Sequence, residues 1–173
     1  MDAEGLAIRR GELLVSFEVM HRIDAYPDPG FMEAKPKRRL RFPFDLHEMR
    51  VNRGIETLAM SPATGPLGAT PVAVTERSLD ANGNIFAAVL EGPRKGIFAV
   101  KRVDPWDITD GAFLPNGDLL LLERRFRLSD GMGMRIRRIA GETIRPGAVV
   151  DGEVLIDADL SHQIDNMEGL DVV

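Results

Sequence analysis

The chain has 173 residues, no cysteine, and a net charge of −5 from 22 basic and 27 acidic side chains. One domain of this length can bury roughly 70% of its unfolded surface, so a sizeable core is expected. Zero cysteine excludes disulfides and thiolate metal sites, the acidic balance argues against a nucleic-acid partner, and no apolar run approaches the roughly 18 residues of a membrane span.

Taken from the N-terminus, Gly5-Leu6-Ala7-Ile8 reads as a short strand and Arg9-Arg10-Gly11 as a turn. Glu12 to Phe17 is a second strand, rich in residues that suit a half-buried sheet. His21 to Tyr26 alternates and makes a third, and Pro27-Asp28-Pro29-Gly30 breaks the chain. Arg39 to Phe44 is an outer strand whose proline is tolerable at an edge. A second unit runs through Glu56 to Met60, Pro71 to Thr75, Asn84 to Leu90 and Gly96 to Val103, with Asn82-Gly83 as a tight-turn signal. The third has Gly111 to Leu114, the turn Pro115-Asn116-Gly117, Asp118 to Glu123, Met134 to Ile139, and Val149 to Ile156 as its fourth strand. No segment holds a 3.6-residue apolar period over helix length.

One phrase heads each unit. It reads Asp2-Ala3-Glu4-Gly5-Leu6-Ala7, then Asn52 to Ala59, then Thr109 to Leu114, and returns as Asp165-Asn166-Met167-Glu168-Gly169-Leu170. Glu4, Glu56, Asp110 and Glu168 stand 52, 54 and 58 residues apart. A period near 50 built of short strands is the signature of propeller blades. The expected fold is therefore all-β, a partial β-propeller of about three four-stranded blades plus the first strand of a fourth, half of a six-bladed ring. The units are 2–51, 52–108, 109–164 and the start of the next, 165–173, in a single domain spanning 1–173. Three blades do not close a ring, and closure is how a propeller protects its edges. A fragment, or a homodimer of half-rings, is the expectation. No signal peptide precedes the first phrase, and the compartment is left unassigned.

A propeller turns the first strand of every blade toward one channel. Asp2, Glu4, Glu56, Asp110, Asp165 and Glu168 would then gather around an axis. As ligands they would suit Ca²⁺, which takes six to eight oxygens. As structural groups they would cap strand ends and bond backbone N–H groups. The glycines beside them allow close backbone approach. Glu18, Glu76 and Glu123 end or follow the second strands, and basic residues come next: Arg22, Arg77, and Arg124 with Arg125. In the catalytic reading Glu18 and Glu123 serve as base or ligand, while Arg22, Arg77 and Arg124 grip an anionic ester. In the structural reading the same pairs lock blade to blade. His162, three residues before Asp165, is a proton-transfer candidate or a surface residue; His21 and His47 complete the histidines. There is no G-x-S-x-G elbow and no dinucleotide fingerprint.

These phrases resemble the family called esterase-like activity of phytase, the phytase-like β-propellers. The resemblance rests on Asp2 to Phe17 with Glu18 and His21-Arg22-Ile23, on Asn52 to Ala59, on Asp110 to Arg125, and on Asp165 to Leu170. It spans nearly the whole chain and about half of a family domain. It implies a propeller with an acidic channel, a metal-assisted esterase or phosphoesterase activity, and export of full-length members. The basic run Lys35 to Arg39 and the turn at Thr64-Gly65-Pro66 depart from it. Three function classes remain open: a calcium-assisted phosphoester or ester hydrolase, a non-catalytic binding propeller, and a lactonase-like metal-dependent propeller.

Overall fold

A computed structural model describes residues 3–43, 54–128 and 131–173. The alternating apolar runs form thirteen strands among these residues, arranged as three sheets that are antiparallel but for one short parallel pair. The first sheet is a meander of β1 (Ala3–Arg9), β2 (Glu12–Phe17), β3 (Arg22–Pro27) and β4 (Arg38–Leu40). The second runs β5 (Ile55–Met60), β6 (Pro71–Leu79), β7 (Ile85–Val89) and β8 (Gly96–Val100). The third has β9 (Asp107–Phe113), β10 (Leu119–Arg127), β11 (Gly131–Ile139) and β13 (Glu153–Asp159). The short β12 (Val149–Val150) leaves its own unit and pairs parallel with β8 of the second sheet. The fold is all-β, with open sheets consistent with a partial propeller. No helix of the described residues is long and apolar enough to cross a membrane.

The expected hairpins form where the turn chemistry placed them. Gly83 and Gly117 both take positive φ, 81° and 93°, a conformation in which a β-carbon is strained. Asp80 completes its turn by accepting the Asn82 and Asn84 backbone N–H groups on one carboxylate oxygen. Two outer strands differ from expectation. β4 ends at Leu40, before Phe42-Pro43, since a proline cannot donate to the ladder. The fourth strand of the third sheet begins at Glu153, because Val149 and Val150 are taken by β8.

The three sheets stack through two cores. Leu14, Ile23 and Ala25 of the first sheet meet Leu58, Ala73 and Ala88 of the second. Val72, Val74 and Phe98 of the second meet Ile108, Leu119 and Leu121 of the third. Alternate residues of β6 thus enter opposite cores, and Pro71 through Thr75 are buried without a break. A strand covered on both faces reads as a continuous apolar run, not as an alternating one. The inner strands pack in series, β1 on β5 and β5 on β9. Residues 164–173 form no ladder strand, but they lie along β9: Thr109 Oγ1 donates to the Met167 carbonyl at 3.0 Å, and Leu170 N–H donates to Asp110 Oδ2 at 2.7 Å.

Candidate functional site

Each inner strand carries one extra residue near its start. Between Ala3 and Leu6 β1 slips against β2, Glu56 is the unpaired residue of β5, and Thr109 is that of β9, next to Asp110. A bulge bends its strand and re-aims side chains. Here it does so at the same end of all three sheets, where second strands finish at Phe17, Leu79 and Arg127. That end is the mouth.

Close approach at the mouth depends on the glycines of the phrase. A β-carbon on Gly5 would stand 2.8 Å from Ser16 Oγ and 2.9 Å from Leu58 Cβ. One on Gly111 would stand 2.7 Å from the Leu120 carbonyl and 3.0 Å from Thr57 Cγ2. Ser16, fully buried on β2, accepts Gly5 N–H at 2.7 Å and donates to the Ile55 carbonyl at 3.3 Å. One hydroxyl therefore pins β1 to β2 and both to β5. Sequence reasoning missed Ser16; an apolar strand with one buried serine was the available signal.

Glu56 is the centre of the acidic group. Burial first, and then the carboxylates of Glu4, Glu76 and Glu18, push its carboxyl from 4.5 up to about 8; Arg124 pulls the other way. Glu18 also accepts Gly54 N–H at 3.3 Å. Four glutamates from β1, the end of β2, β5 and β6 are thus brought within electrostatic reach of one another. Asp110 is also raised, by burial, although its two oxygens accept Gly111 and Leu170 N–H groups at 2.7 Å each. Arg124 reaches across the mouth to Asn166 at 2.5 Å and Glu168 at 2.7 Å, with Glu76 4.0 Å away.

The other predicted residues are placed differently. Glu123 is 1% exposed, and its two oxygens bind Arg135 at 2.5 Å and Arg137 at 2.7 Å. Arg135 also lies over the Trp106 ring, 4.6 Å from its centroid. Arg22 is buried on Asp24 and covers the Phe17 ring at 3.9 Å. Arg77 joins the second sheet to the third through Asp107 at 3.3 Å. His162 is exposed on the turn after β13, with Ser161 Oγ and Asp159 Oδ1 both facing its Nδ1 at 3.2 and 3.6 Å. A Ser-His-Asp relay needs its serine and acid on opposite ring nitrogens. Asp165 is exposed and accepts the N–H of Asn166. Asp2 lies outside the described residues, as does His47.

The donor chemistry of Glu4, Glu18, Glu56 and Glu76 is what a hard cation takes, and bound positive charge would relieve the repulsion at Glu56. Among the described residues, however, no three His, Asp or Glu side chains converge as one coordination sphere. The carboxylates are near enough to repel and not yet near enough to share a ligand. Calcium would require their side chains to turn inward.

A family model for phytase-like proteins, described as esterase-like activity of phytase, matches residues 1–173. Neither curated proteins nor solved structures give a match.

Proposed function

The chain belongs to the phytase-like family, and on that premise we propose that it is an ester or phosphoester hydrolase working at the acidic mouth. The observation that carries this reading is the crowding of Glu4, Glu18 and Glu76 within electrostatic reach of a half-buried Glu56, which keeps its proton to about pH 8. Hydrolysis needs a proton donor for the leaving oxygen and an acceptor for the proton of water. Glu56 supplies the first near neutral pH. Glu18, anchored on Gly54 N–H, is the acceptor we assign. Arg124 is the one of the three predicted arginines placed at this group, where it can meet negative charge developing on the ester oxygen.

Glu4, Glu18, Glu56 and Glu76 are the residues that would hold calcium. A bound ion would polarise the ester oxygen and favour ionisation of its water. Glu56 would have to give up its proton to join it, so binding is expected to strengthen as pH rises. Glu123 and Arg77 serve architecture in this reading. At Asp110, whose oxygens are filled by backbone N–H groups, the structural alternative is favoured. A lactonase-like propeller shares the same donor types and is separated by substrate.

Hydrolysis of p-nitrophenyl acetate, p-nitrophenyl phosphate and a simple lactone, with and without calcium, tests the assignment. Glu56→Gln is expected to lower kcat by ~10²-fold or more. Turnover unchanged in that variant, or absent in the parent on every substrate, would leave a non-catalytic binding propeller.

A further inference from the structure

Below the acids, the inner strands and the 168–172 segment line a half-open cavity of about 590 Å³. Its lining has a definite order along the strands. Glu4, Asp110 and Glu168 stand toward the mouth, and Ile8, Met60, Phe113 and Val172 follow toward the opposite end. On β1 the side chains of Glu4, Leu6 and Ile8 share one exposed face, while Gly5 and Ala7 turn into the core. Four residues of extended chain span ~13 Å, which separates Glu4 from Ile8 along β1, whereas Asp171 is next to Val172 in the chain. Among the described residues no lysine, arginine or histidine lines this cavity, whereas Asp171 adds a fourth carboxyl.

We infer that the substrate of this site is a neutral carboxylic ester whose apolar acyl chain lies along Ile8, Met60 and Phe113, and not a polyanionic phosphate ester. The inference rests on the hydrolase reading above and narrows its substrate. Four acids line the cavity and Arg124, on Glu168, is set against them from outside the lining, an excess of negative charge that opposes a polyanion by simple repulsion. The cavity's far end offers partly exposed apolar side chains, which gain free energy when a hydrocarbon covers them. Chemically, water adds to the acyl carbon and the bond to the alkoxy oxygen breaks. A proton from water goes to a glutamate and another from Glu56 to the departing oxygen, giving a carboxylic acid and an alcohol. No oxidant or reductant is required.

The test separates binding from turnover. An alkyl methyl ketone of octanoate length, neutral and not hydrolysable, and inositol hexakisphosphate are titrated calorimetrically into the full chain, with and without calcium. The ketone is expected to bind and the hexakisphosphate to give no heat in either condition. In parallel, kcat/KM on p-nitrophenyl acetate, butyrate and octanoate is expected to rise roughly two- to fourfold per added methylene. Ile8 is 63% exposed, so Ile8→Glu should fold; it is expected to abolish that rise and weaken ketone binding at least tenfold. Hexakisphosphate binding as tightly as the ketone overturns the inference, and so does binding of neither. Ketone binding that depends on chain length, without cleavage of any ester, supports the apolar site and ends the hydrolase reading.

Discussion

Glu18, Glu76 and Glu123 hold matching places at or near the ends of second strands, yet the two sides of the middle sheet treat them oppositely. On the third-sheet side, Glu123 is sealed between Arg135 and Arg137, and Arg77 holds Asp107. On the first-sheet side, Glu18 and Glu76 crowd Glu56 with Glu4, and Arg124 is the cation that opposes them there. The difference teaches that supply of positive charge, more than the position of an acid in its unit, separates a neutralised strut from a crowded carboxyl. Where β11 offers Arg135 and Arg137 on one face, the acid is neutralised and buried. Where acids outnumber arginines, as around Glu56, burial and the neighbouring carboxylates hold the carboxyl well above its ordinary range.

The largest effect should come from breaking the sealed side. Glu123→Ala leaves buried Arg135 without its carboxylate and Arg137 with Asp151 as its remaining acid, at a cost of about 3–5 kcal/mol. For a chain of this length that lowers Tm by roughly 6–20 °C, measured by calorimetry. A drop of only a degree would mean that Arg135 and Arg137 find other partners and that the contrast between the two sides is false.

Calcium tests the crowded side. At 100 times Kd one bound ion stabilises by about 2.7 kcal/mol, a Tm rise of roughly 5–10 °C. Glu56→Gln should remove most of it, and Glu142→Gln, exposed within the 3₁₀ turn at Gly141–Thr143, should not. No shift in millimolar calcium leaves the acids to proton chemistry alone.

A smaller effect follows from protons. The unfolded chain releases the Glu56 proton near pH 4.5, and the folded chain keeps it to about 8. The unfolded state therefore binds fewer protons across that window, and stability falls as pH rises through it. Glu56→Gln should be stabilising by roughly 1–2 kcal/mol at pH 8, a figure discounted for partial solvent access, and close to neutral at pH 4. Urea unfolding at both values reads the difference. Equal effects at the two pH values would show that Glu56 is not crowded in solution.

The faintest expected effect concerns association. Val154, Leu155 and Ile156 on the outermost strand are 46%, 47% and 50% exposed, and an apolar edge invites pairing with another chain. We propose a second copy as that partner. Light scattering should show mass above the monomer at high protein concentration, reduced by Leu155→Lys.

Much of this was legible in the sequence because it is local. Asn82-Gly83 and Asn116-Gly117 set their turns through positive φ at glycine, and the glycines after Glu4 and Asp110 marked a crowded backbone. The resemblance also led to the family. The bulges were not legible, because an extra residue shows only once a partner strand fixes the register. Nor was the fate of Glu123, which depends on arginines 12 and 14 residues away. Residues 134–139 did show their alternation, but which face met Glu123 required the β10–β11 pairing. The departure of Val149 and Val150 to another sheet had no local signal at all.

That departure has a kinetic consequence. The connection from β11 to β13 dips to the edge of β8, where Gly147 N–H donates to Ile97, Ala99 N–H to Ala148, and Lys101 N–H to Val150. Arg137 closes the same corner on the Lys101 carbonyl. The second and third sheets therefore share a seam, and neither can open its amides to solvent without disturbing the other. In hydrogen exchange they should behave as one cooperative unit. The first sheet is joined to the second through side chains, by the packed core, the Ser16 hydroxyl, Glu18 on Gly54 N–H, and Arg9 and Arg38 on Glu91; it should exchange earlier and set the lower limit of protection at the very strand that carries Glu4.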